Sequence, residues 1–571
     1  MGDESQQEGS LDARSPHWAI LPAMNKVSEA GKFLSARDFL IANRLDYAKA
    51  YREFRWPELT AFNWVSDYFD FLSANNPAPG LLVVSDQGQT QLSFAELHEQ
   101  SLRFSRYLFD QGLQPGDRIL VMLPGIAELW PVILGAMRAG IVVIPTATIL
   151  STHDLSDRLQ RSGAKAAVAD PESTAKFPAS YPLLGIVIGE APGWISYAQT
   201  QDAPAEFPSR PERRATELAF LYFTSGTTAR PKLVTHTQAS YPVGHLSTLY
   251  WTGLRPGDLH LNISSPGWGK HAWSSFFAPW NAGATIISYL YQRFDPAGLK
   301  KLLHSQQVNS LCAPPTVWRR LVQEGLGPKP AALQQLLSAG EPLTPEIFAA
   351  VRDSWGLLVR DGFGQTETTA QIGNPPGLEA APRMGFPLPG YSPELVDENG
   401  VQTEQGEIVL PLEHRPLGLT PGYLDSTEAT ARAFRNGYYH TGDVARRGRD
   451  GSFSYVGRID DLFKSSDYRI SPMEIEAVLL EHPAIAEVAV IPYPDPIKLF
   501  VPKACIKLRP GFEPGPEAAR EIFAFAWAQL SPYARIRRIE FCELPRTISE
   551  KIRRAELRNR PSEGPLVFTE H

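Results

Sequence analysis

The chain has 571 residues, too many for one hydrophobic core, and its length calls for roughly three to four domain-sized units. Hydrophobic residues make up 43% and charged residues 20%, as in ordinary soluble globular proteins, and a net charge of −7 gives no electrostatic basis for binding nucleic acid or an anionic membrane. The three cysteines, Cys312, Cys505 and Cys542, show neither metal-ligand nor disulfide-framework spacing. They read as buried thiols in a reducing cytosol, so a cytoplasmic location is expected.

Residues 1–32 are rich in Ser, Glu, Gln and Gly and read as a mobile tail. Met1–Pro16 is polar and acidic, unlike the basic-then-apolar start of a signal peptide. From Arg37 to about Ala380, short β-rich apolar runs alternate with amphipathic helical stretches, the pattern of α/β layers with mostly parallel sheets. The runs include Arg118–Leu123, Ala166–Ala169, Gly185–Ile188, Thr285–Ser288, Ser310–Ala313 and Leu357–Asp361. The most apolar region, 119–150, carries Pro124, Glu128, Pro131, Arg138 and Pro145, which argues for strand–helix–strand packing rather than a membrane span.

The apolar run Leu218–Phe223 ends in Thr224-Ser-Gly-Thr-Thr-Ala-Arg-Pro-Lys232. Hydroxyls, backbone N–H groups and fixed cations at the end of a buried strand suit polyphosphate oxygens. The segment lacks the Walker pattern, and taken alone it reads equally as a Thr-rich turn. Pro- and Gly-dense sequence follows at 374–392, then short alternating runs that predict a small antiparallel or barrel-like unit over about 385–455. Past Gly457-Arg-Ile-Asp-Asp461 a compact α+β module is expected, with helices near 472–481 and 517–530 and strands near 486–491 and 503–508.

Five further motifs follow the Thr-rich loop: Ser338-Ala-Gly-Glu-Pro342, Phe363-Gly-Gln-Thr-Glu367, Tyr439-His-Thr-Gly-Asp443, Gly457-Arg-Ile-Asp-Asp461 and Pro545-Arg-Thr-Ile-Ser-Glu-Lys551. In order and spacing they resemble the core motifs of the adenylate-forming superfamily of acyl-CoA synthetases, luciferases and peptide-synthetase adenylation domains. Ala36-Arg-Asp-Phe-Leu40, Phe62-Asn-Trp64 and the run 241–280 look most like the medium-chain acyl-CoA synthetase branch.

The resemblance implies an α/β fold: a large N-terminal domain of layered sheets and helices (33–459) with a small β-barrel subdomain, hinged at Asp460 to a mobile α+β C-terminal domain (460–571). It also implies an AMP-forming ligase that joins a carboxylate to the α-phosphate of ATP with Mg2+ and passes the acyl group to CoA. Thr224, Ser225, Gly226, Thr227, Thr228 and Lys232 would then hold the β- and γ-phosphates. Thr366 would touch the α-phosphate, Glu367 would ligate the metal, and Lys551 would bridge carboxylate and α-phosphate. Gly340, Glu341, Pro342, Phe363, Gly364 and Gln365 would surround the adenine, and Asp443 and Arg458 the ribose. Trp268, Lys270, His271 and Trp273 match the acyl pocket, and Asp467 and Arg469 the acceptor tunnel. The aromatic residues there read equally as core packing.

The sequence departs from the pattern at three glycines, replaced by Ala229, Asp467 and Glu550. In CoA-using relatives the glycine at Asp467 lines the pantetheine tunnel, where an acidic side chain would narrow the passage and repel CoA; equally, Asp tolerates a left-handed turn. A second reading is therefore an adenylating enzyme with another acceptor, an amine or a carrier-protein thiol, or one that activates an anion such as nitrite. A third is a nucleotide-binding protein with little catalysis. Small-molecule substrates, no nucleic acid, no membrane, and a monomer or homodimer are expected.

Overall fold

The computed structural model describes residues 28–570 apart from 209–212, 225–230, 379–380, 425, 466–467, 496–498, 533, 548–550 and 561–563. Two large sheets carry the N-terminal part. The first has seven strands in the order Ile195–Ser196, Leu184–Val187, Ala166–Ala169, Arg118–Met122, Val142–Pro145, Leu218–Thr224 and Lys232–Thr237. Only its last pair is antiparallel. The second has nine, from Phe386–Pro387 through Ala370–Gly373, Val359–Gly364, Gln335–Ala339, Ser310–Ala313, Leu259–Asn262, Thr285–Tyr289 and Pro79–Ser85 to Gly88–Ser93. Parallel strands covered on both faces must be apolar throughout, which is why they read as short continuous runs rather than as alternating ones.

A core of buried aromatic residues lies among the helices that join the sheets, with Trp64, Tyr68, Phe69, Phe276, Phe277 and Trp280 in mutual ring contact. Residues 29–32, assigned to the tail by composition, instead open the helix Glu29–Ala42. The Ser28 side chain accepts the Gly31 N–H there, and Glu29 accepts the backbone N–H of Thr60 at 2.6 Å. Polar composition hid an ordinary N-cap. Residues 1–27 lie outside the described residues.

Over 394–458 the expected small unit is a five-stranded antiparallel sheet. Its longest strand, Tyr438–Arg447, pairs with Gln405–Pro411 and with Phe453–Arg458. A separate hydrophobic cluster, from Phe463 to Phe541, fills the module after it. Helices Pro472–Leu480 and Pro516–Gln529 pack there on a four-stranded sheet, close to the predicted boundaries. Among the described residues no helix is long and apolar enough to cross a membrane.

One buried cation holds the second sheet to its neighbouring helix. The Arg360 guanidinium donates to the carbonyls of Trp251, Thr252 and Asn374, so it closes the C-terminal end of the helix Leu246–Thr252 without a carboxylate partner among the described residues. Burial depresses its pKa to about 10, which still leaves it charged. The Arg360→Met variant would orphan those carbonyls, and we expect a loss of about 3 kcal/mol in urea unfolding followed by circular dichroism.

Candidate active site

Three motifs of the N-terminal part lie at the carboxyl end of a strand, the side on which ligands bind in open α/β sheets. Leu218–Thr224 delivers Thr224, Gln335–Ala339 delivers Gly340 and Glu341, and Val359–Gly364 delivers Phe363 and the turn to Glu367.

The segment 339–343 is held by two polar side chains, the half-buried Lys270 and the buried Asp361. Lys270 Nζ donates to the Ala339 carbonyl at 3.0 Å. Asp361 accepts the Gly362 N–H at 3.0 Å and the Leu343 N–H at 3.4 Å. Between them Gly340 turns with φ of +109°, a conformation that favours glycine. Burial depresses the Lys270 pKa, against the opposing pull of Cys312, Asp361 and Glu341. It lifts the Asp361 carboxyl to about 7, against its two backbone hydrogen bonds and Lys270.

His271 is buried against Trp130, with ring centroids 5.8 Å apart, and burial drives its pKa down to about 3. Trp268 is half-buried ahead of the short helix Gly269–Ala272. The Trp273 ring lies against Gly364, where a Cβ would come within 2.3 Å of it, so any side chain at 364 would collide.

Thr366 is fixed through its backbone. Its carbonyl lies 2.7 Å from His236 Nε2, and His236 Nδ1 lies 3.1 Å from the Ser240 hydroxyl. Burial lowers the His236 pKa to about 4, so the ring is neutral. A carbonyl only accepts, so Nε2 carries the proton and Nδ1 accepts from Ser240. The ring stacks on Tyr241 at 4.0 Å between centroids.

Asp443 collects three donors. Tyr455 Oη donates to Oδ1 at 2.8 Å, while Gln365 Nε2 at 2.6 Å and Arg458 at 2.9 Å donate to Oδ2. Gln365 also donates to the Thr441 carbonyl and accepts from Tyr439 Oη, both at 2.8 Å. The Thr-Gly-Asp turn is pinned by Glu407, which accepts the Gly442 N–H at 2.9 Å and meets His440 Nδ1 at 2.8 Å. Glu367 Oε1 accepts from Tyr423 Oη at 2.9 Å, and Lys232 Nζ sits 4.9 Å from the centre of the same Tyr423 ring. Burial and the neighbouring carboxylates raise the Tyr423 and Tyr455 pKa values, which keeps both phenols protonated as donors.

Sequence reasoning missed Tyr423, Tyr439, Tyr455, His236 and Glu407. Tyr439 was within reach: the strand Tyr438–Arg447 buries residues 439, 441 and 443 together, so period-two alternation puts it on the face of Asp443. Nothing periodic marks Tyr423.

Among the described residues no three His, Cys, Asp or Glu side chains cluster as a metal cage. A half-buried carboxylate with one oxygen on a phenol suits Mg2+, which takes one or two carboxylates plus substrate phosphates.

Asp460 is exposed; beside it Asp461 accepts from Arg558 at 2.6 Å, and Arg554 grips Glu476 with contacts of 2.8 and 2.9 Å. Both arginines belong to the turn of helix that follows Lys551. Lys551 is exposed, its backbone N–H donates to Thr547 Oγ1 at 3.1 Å, and its ammonium has no partner among the described residues. Ser225, Gly226, Thr227, Thr228, Ala229, Asp467 and Glu550 lie outside the described residues, as does the side chain of Arg469.

The profile of AMP-binding enzymes matches residues 72–424, and that of the AMP-binding enzyme C-terminal domain matches 474–551. The chain belongs to the AMP-binding enzyme family. It is 39% identical over 523 residues to 4-hydroxybutyrate–CoA ligase 1 of Metallosphaera sedula, covering 89% of this chain and 92% of that one. The structure of the Brucella canis acyl-CoA synthetase is 32% identical, with a TM-score of 0.69 over 91% of this chain and 98% of that one. A benzoate CoA ligase from Burkholderia xenovorans LB400 is 27% identical, with a TM-score of 0.76 over 87% of this chain and 100% of that one.

Asp361 supplies a pH test. Its folded pKa of about 7 lies above the ordinary 3.8, so its proton is held more tightly in the folded state. The stability it contributes is complete below about pH 4 and is lost as pH rises through about 7. We expect the melting temperature of Asp361→Asn to gain steadily on that of the unsubstituted protein between those pH values, measured by scanning calorimetry.

Proposed function

We propose that the protein activates a carboxylate with ATP to an acyl adenylate and pyrophosphate, then transfers the acyl group to the thiol of CoA. The observation that carries this reading is the network joining Gln365, Asp443 and Arg458, with Glu367 two residues after Gln365 and held by Tyr423, in a chain of the AMP-binding enzyme family.

In the first step a carboxylate oxygen attacks the α-phosphorus and pyrophosphate leaves. Two anions meet, so the site must supply positive charge that counts for more in the transition state than in the ground state. Lys551 supplies it between the carboxylate and the α-phosphate, and Thr366, held by His236, gives the α-phosphate a fixed hydroxyl. Asp443 takes the ribose hydroxyls, with Arg458 beside the sugar. Gly340, Glu341, Pro342 and Gly364 border the adenine, and the Phe363 ring covers it. Thr224, Ser225, Gly226, Thr227, Thr228 and Lys232 hold the β- and γ-phosphates. Glu367 would hold Mg2+, which when bound would supply positive charge against the phosphates. Trp268 and Trp273 border the acyl group, while Lys270 acts by holding up the adenine segment.

In the second step the CoA thiol attacks the acyl carbonyl and AMP leaves. A turn at Asp460 withdraws Lys551 between the steps, as hinges do by absorbing a large φ/ψ change at few residues.

Asp467 favours a second reading in which the acceptor is an amine, a carrier-protein thiol or another nucleophile. Both share the first step, so we expect Lys551→Ala to bind MgATP as before and to release pyrophosphate roughly a hundredfold more slowly or worse. Retained pyrophosphate release would overturn the reading. Asp467→Gly separates the acceptors: with the protein, MgATP, mixed aliphatic and aryl acids and CoA, mass spectrometry should show thioester already formed by the unsubstituted protein. Thioester that appears only in Asp467→Gly would assign a different acceptor.

A further inference from the structure

Lys232 and Glu367 present a problem that the nucleotide reading leaves open. Both belong to the polyphosphate end of the site, they carry opposite charges, and a single phenol separates them. Facing carboxylates and ammonium groups ordinarily close into an ion pair, which a ligand must then break. Here, among the described residues, no ion pair joins Lys232 to Glu367. The Tyr423 hydroxyl donates to Glu367 Oε1 at 2.9 Å, and its ring carries the Lys232 ammonium 4.9 Å from the centroid. Each charge meets the part of one tyrosine that suits it, the carboxylate a protonated hydroxyl and the ammonium the negative face of the ring.

Tyr423 itself is buried and held from several sides. Its backbone N–H donates to Thr430 Oγ1 at 3.0 Å, and it forms an isolated antiparallel bridge with Val234 of the strand that begins at Lys232. The residues before it tie the same segment to both charges. The Thr420 N–H donates to the Glu367 carbonyl at 2.7 Å, and the Thr420 hydroxyl donates to the Thr235 carbonyl at 2.7 Å. Residues 420–423 thus link the strand carrying Lys232 to the turn carrying Glu367, and place the phenol between them.

We propose that Tyr423 is a positioning residue that holds Lys232 and Glu367 apart, so that the triphosphate and its cation enter without having to break an ion pair. This rests on the nucleotide reading above. The hydroxyl orients Glu367 and the ring retains Lys232, so the two functions separate by substitution. Tyr423→Phe removes only the first, and Tyr423→Leu removes both and lets the ammonium reach the carboxylate.

The test is calorimetric binding of AMP and of α,β-methylene-ATP to the full-length protein, with and without Mg2+. Tyr423→Phe should weaken the Mg2+ analogue complex roughly fivefold and raise the Mg2+ concentration needed for half-saturation, with AMP affinity within about twofold of the original. Tyr423→Leu should weaken the analogue about thirtyfold or more, and adding Glu367→Gln should recover part of that loss when Mg2+ is absent. The proposal is overturned if AMP affinity falls as far as analogue affinity, which would mean a merely structural role. It is also overturned if Tyr423→Leu binds the Mg2+ analogue as well as the unsubstituted protein does. Tyr423→Phe preserves the packing, so it decides the matter alone should Tyr423→Leu fail to fold. An unsubstituted protein that binds neither nucleotide would bring down the nucleotide reading as well, whereas AMP binding with unchanged analogue affinity in Lys232→Met would bring down only the spacing.

Discussion

Asp443 gathers hydrogen bonds from Gln365, Tyr455 and Arg458, groups that belong to two different sheets. Gln365 follows a strand of the nine-stranded sheet, while Asp443, Tyr455 and Arg458 sit on two paired strands of the small antiparallel sheet. A buried carboxylate is costly to leave unpaired, so this convergence ties the small sheet to the large one. The position of Glu367 follows from it, because Gln365 and Glu367 share one turn. Removing the small sheet would therefore leave the turn without its support, although no residue of that turn belongs to it.

The charges in the site are mostly balanced by neutral donors. Tyr423 serves Glu367, Tyr455 serves Asp443 and Tyr439 serves Gln365, and burial keeps the phenols protonated. Arg458 is the one cation in direct contact with Asp443 among the described residues. A phenol stabilises a carboxylate less than a buried cation does, and it also costs less to displace. A site that must exchange its internal hydrogen bonds for those of a ligand on every turnover is better served by the weaker partner. The cations Arg360 and Lys270 are bonded to backbone carbonyls instead, where nothing needs to be exchanged.

The parallel strands were legible because burial on both faces leaves compact apolar runs, and Ala166–Ala169 and Ser310–Ala313 match residue for residue. The motif positions were legible through order and spacing. The supporting cast was not. Tyr423 acts across a contact between residues 56 positions apart in the chain, and His236 across one of 130. No local period encodes such a contact, and a tyrosine or histidine beside apolar residues looks like core until its partner is placed. Lys270 shows the converse, since its place in a motif-rich run suggested the acyl pocket while its ammonium bonds the Ala339 carbonyl. The start of the first helix was hidden for a simpler reason: Ser28 is polar because it caps the helix, and Glu29 because it accepts the Thr60 N–H.

The motifs in and beside the strands are under tighter physical constraint than the segments that connect strands. Gly340 and Glu367 follow strand ends and Asp443 lies within a strand, where sheet register and buried partners limit what each position tolerates; Gly364 admits no side chain against Trp273. The substitutions for family glycines, Ala229, Asp467 and Glu550, fall between strands or beside Lys551 in the chain. A change at Gly364 would have to move an indole and the Thr369 backbone, whereas a change in a connecting segment can leave the sheets as they are.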